Sequence, residues 1–246
     1  MLLAGAGVAA GAVNAAIGSG TLLTYPLLLA AGLPPVVANG TNTTGIAPGN
    51  VFGAWGYRRE MAGRGRRVAA MAALVGVGAV AGASLVLLLP SSVFEGVVPW
   101  LILAACALVL VQPTIVRRLR ARGVEPASAP SWLLAPVLVG VGLYGGYFGA
   151  AQGIVLIAVL GALYDPDLQR TNAAKQVLQG VANGVAAVVF VVAASVDWGA
   201  AVALGVGASI GGMVGAPLAR RLPDPVLRGI IVAVGLVAAV VSIVRR

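Results

Sequence analysis

Residues 1–57 read MLLAGAGVAAGAVNAAIGSGTLLTYPLLLAAGLPPVVANGTNTTGIAPGNVFGAWGY, without one charged side chain. A helix that crosses a bilayer needs about 20 apolar residues. At about 1.5 Å per residue, this run is far too long for one crossing. It must break, and Gly18-Ser19-Gly20, Gly32-Leu33-Pro34-Pro35 and Pro48-Gly49 are the candidate breaks. Further charge-free runs cover 68–94, 96–116, 126–164, 176–196, 198–219 and 229–244. The run 126–164 is again too long, and its break is placed near Gly149–Gly153. The sequence therefore predicts an all-α, polytopic membrane bundle of about eight hydrophobic helical elements.

Composition agrees. Sixty per cent of the 246 residues are apolar and 9% are charged, against about 45–50% and about 25% in an ordinary soluble domain. The first element is not read as a cleaved signal peptide, because it lacks a basic leader and stays apolar past any cleavage point. The 16 basic residues outnumber 7 acidic ones. They sit in short clusters between uncharged runs, as in cytoplasmic loops of membrane proteins, so no nucleic-acid partner is expected. The chain has no His and one Cys, Cys106. That excludes a Cys-His or Ser-His-Asp catalytic centre and the usual zinc sites, and no cofactor or enzymatic activity is expected. Cys106 reads as a small buried hydrophobe.

The chain also repeats itself. A gapless shift of 133 residues places Gly20 on Gly153, Asn39 on Asn172, Asn50 on Asn183, Gly78 and Gly82 on Gly211 and Gly215, and Leu89-Pro90 on Leu222-Pro223. Two transmembrane repeats, 1–122 and 131–246, are read on either side of a cytoplasmic linker, 123–130. Each has four elements: 2–33, 36–57, 67–89 and 95–117, then 133–164, 168–195, 199–220 and 226–245. The first of each is broken at glycine. Duplicated bundles are common in secondary transporters, with the solute site between the halves. The pairs Gly78/Gly82 and Gly211/Gly215 let helix backbones approach closely.

Arg58, Arg59, Arg64, Arg66 and Arg67 crowd one loop, and Arg117, Arg118, Arg120 and Arg122 crowd the linker. Both clusters are expected in the cytoplasm. If the broken elements enter the membrane and return, the halves are inverted and Arg220, Arg221 and Arg228 join that side. If they are full spans, the halves are parallel. The inverted arrangement is favoured, although Arg245-Arg246 argues the other way.

Asn172, Lys175, Gln176, Gln179 and Asn183 lie on one face of a helix. The equivalent stretch of the first half carries Asn39, Asn42, Thr43 and Asn50. Such a stripe lines a cavity or an interface rather than lipid. Lys175 has no Asp or Glu in the apolar runs to neutralise it. Either it receives an anion from solution, or it snorkels to water beside Asp165 and Asp167. The glycine breaks give a second hint. Helices restarting after Gly18-Ser19-Gly20-Thr21 and Gly149–Gly153 would aim N–H groups at an oxyanion. Ser19, Thr21 and Gln152 would add donors, with Asn14 one turn earlier. Structural packing explains those glycines equally well. The candidate solute site is thus Asn14, Ser19, Gly20, Thr21, Asn39, Asn42, Thr43, Asn50, Gln152, Gly153, Asn172, Lys175, Gln176, Gln179 and Asn183. Trp55, Tyr57, Trp100, Trp132, Tyr164 and Trp198 fall near span ends and read as an interfacial belt. Glu60, Glu95, Glu125, Asp197 and Asp224 are read as loop residues. A metal-cation cargo is disfavoured for want of acidic, His or paired Cys ligands.

Gly7-x-x-x-Gly11-x-x-Asn14-x-x-x-Gly18-Ser19-Gly20-x-x-x-x-x-Pro26, Gly32-Leu33-Pro34-Pro35-x-x-Ala38 and Thr41-Asn42 resemble the sulfite exporter TauE/SafE family. Gly145-Gly146-Tyr147-Phe148-Gly149-Ala150-Ala151-Gln152-Gly153, with Ala174-Lys175 and Asn183, is similar to that family's second repeat. The resemblance implies a multi-pass permease of the bacterial plasma membrane, exporting sulfite, sulfonates or related organosulfur and organic anions. Its partners would be a small anionic solute and the lipid bilayer; a homodimer is left open. The competing reading is a non-transporting scaffold or assembly subunit that packs on a partner through the small-residue helix faces.

Overall fold

The computed structural model describes residues 1–121, 131–165, 167–219 and 224–244. Among them the chain forms ten helices and no strand: α1 (Leu2–Ala16), α2 (Thr21–Ala30), α3 (Pro35–Gly56), α4 (Gly65–Leu88), α5 (Ser91–Ala121), α6 (Ser131–Tyr147), α7 (Gln152–Leu163), α8 (Leu168–Ala193), α9 (Trp198–Ala219) and α10 (Asp224–Val244). Within the described residues, Gly65–Leu88, Ser91–Arg118 and Leu168–Ala193 are long and apolar enough to cross a membrane. The protein is a multi-pass helical membrane protein.

Close glycine contacts fix the relative directions of six helices. A Cβ on Gly7 would strike Leu204 and one on Gly11 would strike Ala208, so α1 runs parallel to α9. Gly45 and Gly49 of α3 meet the same two residues, so α3 shares that direction. Gly78 abuts Val139 and Gly82 abuts Leu143, which makes α4 parallel to α6. Gly40 faces Phe190 whereas Gly53 faces Gln176, so α8 runs against α3. Glycine at these points brings backbones into direct contact, which in lipid is a main source of helix cohesion. The Gly78/Gly82 face and Gly211 are therefore filled inside the chain, against α6 and α1, and are not free for a partner. Gly215 lies outside the residues whose side-chain surroundings are described.

The break at 17–20 reverses the chain. Gly18 adopts a left-handed conformation, φ +83°, and Gly20 returns to lie against Ala10 of α1. Helix α2 then descends, placing Thr21 and Thr24 beside Asn42 of α3. The break at 148–151 does the same: Gly149 has φ +69°, and the Gln152 side chain comes back to Val141 O of α6 at 3.2 Å. Both glycine breaks thus produce hairpins. Helix α1 has 15 residues, about 22 Å at about 1.5 Å each, shorter than the hydrocarbon thickness of about 30 Å. Helix α6, with 17 residues, is about 26 Å long, so neither hairpin's first arm matches the full thickness. Gly32–Pro35 also separates two helices, but Pro48-Gly49 does not: α3 continues through Pro48 to Gly56. Pro48 removes one backbone donor, and the packing of Gly45 and Gly49 on α9 holds the helix on either side of it.

Trp55 and Trp198, each 57% exposed, lie at helix ends, as an interfacial belt requires; Trp100, 64% exposed, instead lies well inside α5. Tyr57 and Tyr164 are not part of it, being buried at 7%; each turns inward to a polar partner. Trp132, Glu125, the linker 123–130, Arg220, Arg221, Arg228, Leu222-Pro223 and Arg245-Arg246 lie outside the residues or side chains described. Glu95 sits in the first turns of α5 and Asp224 begins α10, rather than in loops. Cys106 is buried, in contact with Gly235 of α10.

Candidate functional site

The two hairpin tips touch. Gly153 N–H donates to Gly18 O at 3.1 Å, and a Cβ on either glycine would collide with the other's backbone. Around this contact α1, α2, α3, α7 and α8 converge, and the polar residues they carry are sealed from solvent. Asn14, Ser19, Asn50, Lys175, Gln176 and Gln179 are all 3% exposed or less.

Asn14 is the hub. Its Oδ1 accepts from Gly20 N–H at 3.0 Å and from Gln179 Nε2 at 3.0 Å. Its Nδ2 donates to Asn50 Oδ1 at 2.9 Å. Just beyond it, α1 ends. The last carbonyls of a helix have no intrahelical partner and carry its negative pole. Lys175 Nζ donates to two of them, Asn14 O at 3.2 Å and Ala15 O at 3.3 Å. The lysine is 0% exposed and forms no ion pair among the described residues. Snorkelling is overturned. Asp165 instead accepts from Arg64 and lies 3.8 Å from Arg170.

A second group adjoins the first. Thr24 Oγ1 donates to Gly20 O at 3.3 Å and closely to Asn42 Oδ1; Asn42 Nδ2 donates to Thr21 Oγ1 at 3.3 Å. Thr24 was not among the sequence candidates; its signal is its place one helical turn after Gly20. The sequence likewise gave no hint of the α1 carbonyls, which only the chain reversal brings to Lys175.

Other candidates are placed elsewhere. Gln152 is directed into its own hairpin. Asn39 Nδ2 donates to Tyr147 O at 3.0 Å, at the far tip, and Asn172 Nδ2 to Tyr57 OH at 2.8 Å, toward the arginine-rich face. Gln176 packs against Gly53, one turn from Asn172. Thr43 and Asn183 are buried but do not join the hydrogen-bonded cluster. The helix-start N–H groups differ from expectation: those of Gly20 and Gly153 already have protein acceptors. Unpartnered atoms do remain in the core: Ser19 Oγ, Asn50 Nδ2, Gln179 Oε1 and both polar atoms of Gln176. Buried polar groups are ordinarily satisfied; Asn39 Oδ1, Gln152 Oε1 and Asn172 Oδ1 are unpartnered as well, away from the Asn14 hub.

At the arginine-rich face, Tyr164 and then Asp165 hold the Arg64 guanidinium above its ordinary pKa, and Arg67 stacks over the Tyr164 ring at 4.8 Å. A groove of about 360 Å³ between α3 and α9, lined by Thr44, Pro48, Trp198 and Val202, opens outward, away from the Asn14 hub. No group of three or more His, Cys, Asp or Glu residues that could hold a metal occurs among the described residues.

A family model of the sulfite exporter TauE/SafE matches residues 3–242. The chain belongs to that family. It is 25% identical over 228 residues to a Haemophilus influenzae protein named "Probable membrane transporter protein", covering 92% of this chain and 87% of the relative. It is 27% identical over 234 residues to "Probable membrane transporter protein YfcA" of Escherichia coli K12, covering 93% and 83%. A Sinorhizobium protein, "Probable membrane transporter protein ORF9", is 26% identical over 231 residues, covering 94% and 87%. No solved structure matches. The family and the relatives' names are those of membrane transporters, which the all-helical apolar fold fits and which accords with a non-enzymatic role.

Proposed function

We propose that this TauE/SafE member is a permease that exports small anions, sulfite, sulfonates or related organosulfur and organic anions, across the bacterial plasma membrane. The observation that carries the reading is Lys175. A charge buried at a membrane-helix centre costs about 2.5–3.5 kcal/mol on insertion scales. Two neutral carbonyls offset that only in part, and among the described residues no carboxylate completes it. A solute anion would. The ligand would lie at the joined tips, near Lys175, Ser19, Asn50 and Gln179. Asn14, Gly20, Thr21, Asn42 and Gly153 would hold those groups in place, with Asn39, Thr43, Asn172, Gln176 and Asn183 along the pathway walls and Gln152 bracing its own hairpin.

The same reading takes 1–122 and 131–246 as inverted repeats joined by the linker 123–130. Its support is the exchange of partners between halves. Helix α1 packs on α9 while α6 packs on α4, and α3 and α8 run in opposite directions. Both hairpins then approach the midplane from opposite faces, as in inverted-repeat transporters. Arg58, Arg59, Arg64, Arg66, Arg67, Arg117 and Arg118 fall on one face and Glu95 and Asp197 on the other, so the basic face is assigned to the cytoplasm. The cluster is closed to both faces, an occluded state of an alternating-access cycle. With the interior negative, each expelled negative charge gains about 2.3 kcal/mol per 100 mV, so export needs no coupled ion. The scaffold reading is weakened, because three of the four glycines it relied on, Gly78, Gly82 and Gly211, are filled internally.

Reconstituted vesicles test this. Sulfite or sulfonate flux should appear with the wild type and fall at least about tenfold in Lys175→Ala, the scale of a lost charge-assisted hydrogen bond. Unchanged flux in a folded variant would remove Lys175 from the mechanism.

A further inference from the structure

The amide orientations around Asn14 follow from one backbone group. Gly20 N–H is a donor and needs an acceptor, so the Asn14 oxygen faces it at 3.0 Å. The Asn14 NH₂ therefore faces Asn50, at 2.9 Å, and the Asn50 atom it meets is the oxygen. Gln179 reaches the same Asn14 oxygen at 3.0 Å, so the group it offers there is its NH₂. Three side chains are oriented by one N–H. The atoms they leave over are thereby identified: Asn50 keeps a donor, Nδ2, and Gln179 keeps an acceptor, Oε1, neither with a partner in the protein. Asn50 and Gln179 are 1% and 2% exposed, and Ser19, whose Oγ is also unpartnered, is 1% exposed. Gln179 Oε1 lies beside Gly153, at the meeting point of the tips.

We infer that the solute this site recognises is a singly charged anion that carries its own O–H or N–H group. The inference rests on the anion-permease reading above and narrows it. One lysine neutralises one charge, and a second negative charge would stand uncompensated in a buried site. Oxygens of the anion accept from Lys175, Ser19 and Asn50. Gln179 Oε1 accepts only, so a ligand with no donor leaves it unpaired. The class is an acid oxyanion retaining one proton, or a hydroxy- or amino-substituted acid.

Proteoliposomes of the full chain, tested with ethanesulfonate, 2-hydroxyethanesulfonate, sulfate and sulfite, decide the matter. The two sulfonates bear the same charge and differ by one hydroxyl. A site built to pair a hydroxyl rejects the analogue lacking it, so kcat/KM should favour the hydroxylated sulfonate by at least about tenfold, with sulfate slowest. In Gln179→Met the ratio between the two sulfonates should shrink to about twofold or less. Equal wild-type rates, sulfate as the fastest solute, or a preference that survives in folded Gln179→Met each overturn the inference and leave the permease reading standing. The wild-type ratio alone decides if the variant does not fold. No flux of any of the four anions removes both readings.

Discussion

The two hairpin tips are built alike and furnished differently. Helix α1 closes with Ile17 and Gly18 N–H both on Val13 O, at 2.7 and 3.1 Å; α6 closes with Phe148 and Gly149 N–H both on Tyr144 O, each at 3.0 Å. A left-handed glycine follows in each case. Both ends therefore present free carbonyls to a helix of the other half. At the first tip, those of Asn14 and Ala15 receive the ammonium of Lys175 from α8. At the second, that of Tyr147 receives the neutral amide of Asn39 from α3. The surroundings diverge in the same sense. Asn50, Gln179 and Ser19 gather at the first tip, whereas Phe148 at the second stacks edge-on with Tyr25 at 5.1 Å and sits 6.4 Å from Phe94. The lesson is that two hairpins of like backbone need not carry like chemistry. Of the two tips, the first receives a lysine and the second a neutral amide.

The sharpest way to break this comparison is at the glycines. In Gly18→Ala the new Cβ would meet the Gly153 backbone from a left-handed residue. Steric overlap there adds to the conformational cost, so a loss of more than about 3 kcal/mol is expected. In Gly149→Ala the nearest atom is Gly145 O at 2.9 Å, within the same hairpin, and a loss of about 1–2 kcal/mol is expected. Denaturation in detergent, monitored by helical signal, measures both. Equal losses would show that contact between the tips contributes nothing beyond local strain.

A second comparison separates the charged tip from the neutral one. Lys175→Met keeps length and removes charge; its stability should stay within about 1 kcal/mol of wild type, since apolar replacement of a buried charge is often neutral. Its anion flux should nevertheless fall at least about tenfold. Asn39→Ala removes a neutral hydrogen bond and should cost about 0.5–1.5 kcal/mol of stability, with flux changed less than about fivefold. If Asn39→Ala abolished flux while Lys175→Met retained it, the two tips would have been assigned the wrong way round.

Much of this was legible in the sequence. Charge-free runs and glycine punctuation gave the helices and the breaks at 18–20 and 149–153, because spans and chain reversals depend on local composition. The face carrying Lys175, Gln176 and Gln179 was legible from periodicity, and the structure buries it. What Lys175 bonds to was not. Its partners are backbone carbonyls 160 and 161 residues away, and every residue has a carbonyl, so no letter in the sequence marks them. Tyr57 and Tyr164 were misplaced for a related reason: proximity to a span end does not reveal whether a ring turns to lipid or inward. The gapless offset also fails locally. The helix-ending glycines, Gly18 and Gly149, are 131 residues apart, two fewer than the offset that pairs Asn39 with Asn172. Helix α7 is two residues longer than α2, 12 against 10, which restores the register before α8 begins.

The smallest expected effects lie at the two outer faces, where the contrast between ionic and neutral contacts recurs. On the basic face, Asp165 accepts from Arg64, with Arg170 at 3.8 Å, and joins the loop before α4 to the loop before α8. The Arg64 side chain is 32% exposed, so water screens the pair, and Asp165→Asn should cost under about 1 kcal/mol. On the opposite face, Asp197 N–H donates to Thr41 Oγ1 at 3.0 Å, joining the start of α9 to α3. Thr41 is fully buried, and Thr41→Val should cost about 1 kcal/mol. Salt distinguishes them. Raising ionic strength from about 0.01 to 1 M shortens the screening length from about 30 to 3 Å, so the penalty of Asp165→Asn should shrink toward zero while that of Thr41→Val holds steady. A salt-independent penalty for Asp165→Asn would mean that the carboxylate acts mainly through its bond to the Asp167 N–H, at 2.9 Å. Its role would then be to shape the turn into α8 rather than to tie the two loops together by charge.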